Sequence, residues 1–432
     1  MRTNRLVQSG LVLGAALLLG ACDLDMTDPN SPNEQDIITN ISGLREVTIG
    51  LQAEWGNEIV DPIYIDGLVT DGIGAIPQAF ESYRLVDAGS PVGNELGPST
   101  ETWSGMYEIV EIANVLIEST PQVAMDPGTA SGTLALAKLY KAMAFGSLLQ
   151  TYERIPLDVG LHNLNPTFAT RAEGLAEVLK LLNEARQHLQ STPPSADFNT
   201  KYVAAGFNLA ATVDAMIARY SLISGDQAGA LAAAQRVPLN VLSENRFSAT
   251  DPNPLWTMWY SSGNAYRMRP EDGFRTGAQA NDKRVAYWVS ASSVVGSTVP
   301  LDEFVKYAVR EAGIPAYLPD EMRLIQAEVR ARQDNLPTAL DLVNQVRTPC
   351  TSSLNEPVAC LPALTLAEVS TKSAMLDQIL KEREYELYLQ GVRWSDLRRF
   401  GKTVKYPYMM VPETECERNS NAPAEVCQGE TK

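Results

Sequence analysis

The stretch ILKEREYELYLQGVRWSDLRRFG, Ile379 to Gly401, decides the fold of this chain. Leu376, Ile379, Leu380 and Leu387 fall on one side of a helix. Gly391 suits a left-handed helix C-cap, after which Arg393 to Arg399 restarts as a short second helix. Glu382, Glu384, Glu386, Arg393, Asp396 and Arg399 then predict a partly buried ion network between the two helices. Paired carboxylates for glycoside hydrolysis would need two acids about 5 to 9 Å apart. Three acids on adjacent turns, interleaved with arginines, read instead as salt-bridged.

The chain around this stretch has 432 residues, 45% apolar and 20% charged, enough core material for one large or two ordinary globular domains. Its formal charge of −17 repels phosphates, so no nucleic acid partner is expected. With two histidines, His162 and His188, there is little material for a His-based metal site or nucleophilic triad. The carboxylate count leaves room for a structural calcium, yet no D-x-D-x-D-G loop is present and neither cofactor nor metal is expected otherwise.

Helical periodicity runs through most of the chain. Met106, Val110, Ala113 and Ile117 mark a helix from Trp103 to Ser119, ended by Pro121. Leu136, Leu139, Tyr140 and Met143 mark a second that stops before Pro156, and Leu175, Val178, Leu179 and Leu182 a third from about Arg171 to Leu189. Val213, Met216, Ile217 and Tyr220 mark a fourth. A weak repeat follows: Ala218, Gly225-Asp226 and Ala230-Leu231 recur at Ala327, Asp334-Asn335 and Ala339-Leu340. Helix, tight turn and helix with small residues at the crossing resemble tetratricopeptide units, which stack because one hairpin cannot bury its own faces. In Asn57 to Thr100 and Ser243 to Tyr307 the periodicity fades, while glycines and aromatics remain. Loops of that length in a packed helical body are usually functional or disordered, and the aromatics argue against disorder.

Arg2 and Arg5 precede an apolar run from Leu11 to Leu19, too short to span a bilayer and shaped like an export signal. It closes on Leu19-Gly20-Ala21-Cys22, which resembles the lipobox of bacterial lipoproteins and predicts acylation of Cys22. Asp23 to Asp36, rich in Asp, Asn, Pro and Ser, reads as a solvated tether. The expected division is signal peptide 1–21, acylated cysteine and flexible tether 22–40, N-terminal helical region 41–242 and C-terminal region 243–432. The remaining cysteines form two close pairs, Cys350 with Cys360 and Cys416 with Cys427, whose spacings suit local disulfides, although four cysteines allow three connectivities. Neither pair has the short spacing of a four-thiolate zinc site.

Glu382-Arg383, Glu386-Leu387, Gly391, Arg393-Trp394, Asp396-Leu397 and Arg399 resemble the C-terminal pattern of the RagB/SusD family. Val411-Pro412 and Glu415 look like that family's closing segment, Tyr317 to Arg347 like the preceding hairpin, and Trp103, Tyr107, Ile109 and Asn114 like an early helix. Asp282 to Arg284 resembles a short structural element of the family. The resemblance implies a mainly α fold in which tetratricopeptide-like hairpins pack with a loop-rich, irregular ligand-binding region. It also implies a lipid-anchored outer-membrane protein facing the cell exterior, which binds glycans or related nutrients without cleaving them. Such a protein delivers its ligand to a partner TonB-dependent transporter.

The residues that would carry binding are Trp256, Trp259, Tyr260, Asn264, Tyr266 and Arg267, with Tyr83 and Trp288 in support. Sugar rings stack apolar faces on Trp and Tyr, while Asn and Arg reach the hydroxyls. Trp256 and Trp259, at i and i+3, equally suit plugging a loop into the core. The alternative reading of the whole chain is a tetratricopeptide-like scaffold lipoprotein for envelope protein assembly, with no small-molecule ligand.

Overall fold

The structure, a computed structural model, describes residues 38, 40–95, 97–160, 163, 165–260 and 268–428. Acylation of Cys22, the signal and nearly all of the tether lie outside them. The helices of the N-terminal half are α1 (Ile41–Glu58), α2 (Val60–Val69), α3 (Glu81–Asp87), α4 (Pro98–Ser119), α5 (Pro127–Thr151), α6 (Arg171–Ser191), α7 (Ala196–Lys201), α8 (Leu209–Ser224) and α9 (Gln227–Ala234). The short α10 (Pro254–Tyr260), α11 (Asp272–Thr276) and α12 (Lys283–Trp288) lead to α13 (Pro319–Arg332), α14 (Leu336–Arg347), α15 (Lys372–Glu386), α16 (Arg393–Arg399), α17 (Glu413–Arg418) and α18 (Ala424–Gln428). Four two-stranded antiparallel sheets interrupt them: β1 (Ile73–Ala75) with β5 (Met268–Pro270), β2 (Ile155–Pro156) with β3 (Phe168–Ala169), β4 (Ser243–Asn245) with β8 (Ile314–Tyr317), and β6 (Val289–Val295) with β7 (Pro300–Phe304).

The helices begin where capping chemistry permits. Asp126 accepts from Thr129 N ahead of Pro127 at the start of α5, and Thr170 with Glu173 forms a capping box on α6. The hairpins then stack in order: α5 packs on α4 and α6, α6 on α8, α9 on α13, and α15 against both α13 and α14. The two repeat copies agree in detail. Gly225 at φ 89° and Asp334 at φ 61° turn the chain, and Asp226 and Asn335 cap the next helix by accepting from Gly229 N and Thr338 N. Ala218, Ala230, Ala327 and Ala339 are fully buried, so nothing larger than a methyl separates the crossing helices. The fold is mainly α with tetratricopeptide-like hairpins.

Three expectations are corrected. Asn57 to Thr100 is not a loop throughout, because it contains α2 and α3. Val60, Ile63, Tyr64, Ile65, Leu68 and Val69 make α2 apolar nearly all round, which leaves no amphipathic period to detect. Gly391, at φ 64°, is not the C-cap of α15. That helix ends at Glu386 with Leu387 as its C-cap, and a turn with Leu389 also in the left-handed region leads to α16. The ion network also draws its cations from elsewhere. Arg284, 1% exposed, pairs with Asp282 and Glu382 at 2.7 Å each and with Glu386 at 3.5 Å, and Arg347 pairs with Glu382 at 2.7 Å. Within the motif, Arg383 and Arg399 flank Asp396 at 2.6 and 2.7 Å, Arg399 also meets Glu328, and Arg393 takes Glu384 at 2.8 Å.

One core joins both halves, with Trp55, Tyr140 and Met216 in the same cluster as Trp288, Tyr317 and Trp394. The C-terminal segment closes over the N-terminal half through Asn94 Nδ2, which donates to Val411 O at 2.7 Å, and Asn419 Nδ2, which donates to Pro166 O at 2.9 Å. Disulfides Cys350–Cys360 and Cys416–Cys427 close the two local loops.

Two stability outcomes follow. Arg284→Met strands Asp282, Glu382 and Glu386 and lowers unfolding stability by about 3–5 kcal/mol in urea titration, whereas Arg393→Met at the half-exposed pair costs under about 1 kcal/mol. Replacing Cys350 and Cys360 by serine costs about 2–3 kcal/mol, the value a closed loop of this length gives.

Candidate functional site

The aromatic region is anchored by Asn253, a buried residue that donates from its backbone to Arg310 O at 2.9 Å and from its side chain to Ala312 O. Its Oδ1 accepts from Leu255 N at 2.8 Å, which starts α10 against the loop that precedes β8. The helix then splits its aromatics. Trp259, 6% exposed, stacks on Phe304 with centroids 3.7 Å apart and meets the edge of Tyr307. Trp256, half-buried on the neighbouring face, carries the Arg310 guanidinium 5.1 Å from its ring centre. Tyr260 is also half-buried and donates its hydroxyl to Phe304 O at 3.2 Å.

The supporting aromatics are interior. Trp288, 1% exposed, donates Nε1 to Tyr385 O at 2.9 Å. Tyr83, 1% exposed, donates to Glu101 at 2.5 Å and stands beside Tyr64. Trp259, Trp288 and Tyr83 therefore have no ring face free for a sugar in this structure, since their faces are spent on core packing. Asn264, Tyr266 and Arg267 lie outside the described residues, between α10 and β5.

Sequence reasoning missed two cations in this region. Arg310 lies over Trp256, and Lys306 donates to Tyr287 Oη at 2.7 Å with its ammonium 5.1 to 5.9 Å from the rings of Tyr287, Trp288 and Tyr307. Burial among these rings pulls the Lys306 ammonium down to about 8. Neither cation belongs to a motif or a helical period. Only the turn between β7 and β8 brings them to the aromatics.

Glu382 and Glu386 are 1% and 0% exposed and held by arginines, so they do not face solvent as a carboxylate pair. Burial and then the Asp320 charge keep Glu386 well above the ordinary carboxylate range. Beside the motif lies a polar cleft of about 270 Å³ between the end of α2, α11 and the α15–α16 turn, lined by Asp66, Glu271, Arg383, Arg393, Phe274 and Tyr388. Burial raises Asp66 to about 7 although its Oδ1 accepts from Trp394 N at 2.8 Å. Burial, followed by the nearby Asp71, raises Glu271 to about 8. Among the described residues no cluster of three or more His, Cys, Asp or Glu could hold a metal ion.

Glu271 carries a pH signature of fixed sign. Its ordinary value is 4.5, so from there to about 8 the folded chain holds a proton that the unfolded chain has released, and stability falls across that window as pH rises. Glu271→Gln is expected to raise the thermal midpoint at pH 8.5 and leave it nearly unchanged at pH 4. Equal shifts at both pH values would contradict this account.

Residues 314–431 match the model of the SusD family. Over the whole fold, the chain is similar to a SusD superfamily protein from Bacteroides fragilis at 18% identity, covering 89% of this chain and 99% of that one with a TM-score of 0.68. It is also similar to a SusD superfamily protein from Bacteroides vulgatus at 13% identity, covering 91% and 99% with a TM-score of 0.69. A putative sugar binding protein from Bacteroides vulgatus is similar at 17% identity, covering 89% and 97% with a TM-score of 0.67. No curated protein matches the chain significantly.

Proposed function

We propose, for a chain that is SusD/RagB-like, that it is a lipid-anchored protein of the outer membrane, facing the cell exterior. In this reading it captures glycans or related nutrients and passes them to a partner TonB-dependent transporter. Sugar binding is supported by the family, by the putative sugar binding protein of the same fold, and by the α10 surface. The observation that carries the reading is Trp256. Among the proposed ligand residues it combines a half-exposed indole with a guanidinium held beside it. An indole face accepts the C–H side of a pyranose and a guanidinium donates to its hydroxyls, the mixed apolar and polar pattern of a sugar site. Tyr260 borders this face, and Asn264, Tyr266 and Arg267 supply further hydrogen-bonding and stacking groups. Cys22 is the anchor, and among the described residues no helix is long and apolar enough to cross a membrane.

Binding occurs without cleavage, so oligosaccharides incubated with purified protein are recovered intact. Isothermal titration against a panel of neutral oligosaccharides is expected to give heat with at least one member. Trp256→Ala weakens that interaction by about tenfold with little change in thermal midpoint, since one buried aromatic contact is worth about 1.4 kcal/mol or more. Trp259→Ala instead costs about 3–5 kcal/mol of stability. A panel without heat favours the scaffold reading. Recovery of a large β-barrel in near-equal amount with the intact lipoprotein supports the transporter partnership, and its absence counts against it.

A further inference from the structure

Away from the aromatic face, α1 and α4 pack side by side and leave an open groove of about 330 Å³. Val47 and Gly50 from α1 and Ile112 and Val115 from α4 line it, with Ile38 among them as well. Ile49, next to Gly50, is 45% exposed. A Cβ added at Gly50 would meet nothing within 4 Å, so the groove is open above this residue. Its polar lining is acidic, from Glu54 and Glu111.

The acids continue beyond the groove. Glu54, Glu58, Asp61, Glu101 and Glu108 lie on α1, α2 and α4, and Glu58 folds its carboxylate into the space that a side chain at Gly105 would need. Burial, and after it their mutual repulsion, holds Glu54, Glu58, Asp61 and Glu101 above the ordinary carboxylate range, with Glu101 at about 7. The charges that raise them are other carboxylates of the group, Glu108 included. The tether that leads to Ile38 is itself acidic, through Asp23, Asp25, Asp28, Glu34 and Asp36. Like charge therefore disfavours the chain's own tether as the groove's occupant.

We infer that the α1–α4 groove docks a basic amphipathic helix of a partner protein, with apolar residues between Val47, Gly50, Ile112 and Val115 and lysines or arginines against the acidic border. Helix-in-groove recognition uses apolar anchors at i, i+3, i+4 and i+7. Opposite charge on the border steers encounter and selects the partner. Glu54 and Glu111 on the border give the surface its sign, and the open space over Gly50 gives it depth. This surface shares no element with the α10 face and does not depend on the glycan reading.

The probe is a fluorescent synthetic peptide of 18 residues, with leucines at i, i+3, i+4 and i+7 and lysines elsewhere, titrated into the full soluble chain by anisotropy. Binding is expected to weaken with added salt, and to be absent for a scrambled peptide of the same composition and for a version with glutamates in place of lysines. Gly50→Phe fills the groove and reduces binding at least about tenfold, with the circular dichroism spectrum and oligosaccharide titration unchanged. Glu54→Gln with Glu111→Gln reduces it about threefold and flattens the salt dependence. Equal binding of the scrambled peptide, or undiminished binding by Gly50→Phe, overturns the proposal. So does sedimentation showing a dimer that Gly50→Phe dissociates while the peptide fails to bind, because the occupant is then a second copy.

Discussion

Arg284 cannot be buried without its acids. It is 1% exposed and shares Asp282, Glu382 and Glu386, while Arg347 holds the other side of Glu382. Removing one member would leave a charge in the interior with nothing to offset its lost hydration, at about 3–5 kcal/mol. Glu382 and Glu386 stand on α15, Arg347 on α14, and Arg284 on α12, whose N-cap is Asp282. These helices must therefore dock in the one register that pairs every charge. The second ion group, Arg383 and Arg399 around Asp396 with Glu328 behind, extends the constraint to α13 and α16. A bidentate Arg219–Glu321 pair at 2.6 and 2.7 Å ties α8 of the first repeat copy to α13 of the second.

The same frame positions the candidate ligand face. Trp288 follows Arg284 on α12 and donates to Tyr385 O on α15, so the aromatic cluster is pinned to the helix that carries the buried acids. Phe304 and Tyr307 extend the cluster to Trp259, and Trp259 fixes α10 so that Trp256 stands at the surface. The half-buried Trp256 thus sits on a short element held on a rigid one. Such mounting lowers the ordering cost of binding a flexible ligand.

The helices that build the stack were legible because each has one apolar face. Trp103 to Ser119 is the clear case, with Met106, Val110 and Ala113 fully buried as their spacing predicts. The repeat was legible for a related reason. A tight turn needs a residue tolerant of positive φ and a crossing needs a small one, and both demands leave marks at Gly225, Asp334, Ala218 and Ala327. The α2 helix left no such mark, since it is apolar on nearly every side. At the candidate site the residue types were legible and their directions were not. Trp256 and Trp259 are alike in sequence, and they diverge because Phe304 and Tyr307, some 45 residues on, cover one ring and not the other.

By itself the sequence determined the helical stack, its hairpin repeat and the C-terminal motif, because each rests on spacing within a short segment, while the close spacing of the cysteines suited local disulfides without choosing their pairing. Tertiary structure alone decided which cations neutralise Glu382 and Glu386, which tryptophan is only half-buried, and where Lys306 and Arg310 stand. Those outcomes depend on contacts between residues far apart in the chain, and burial of charge and ring faces is a property of the packed whole.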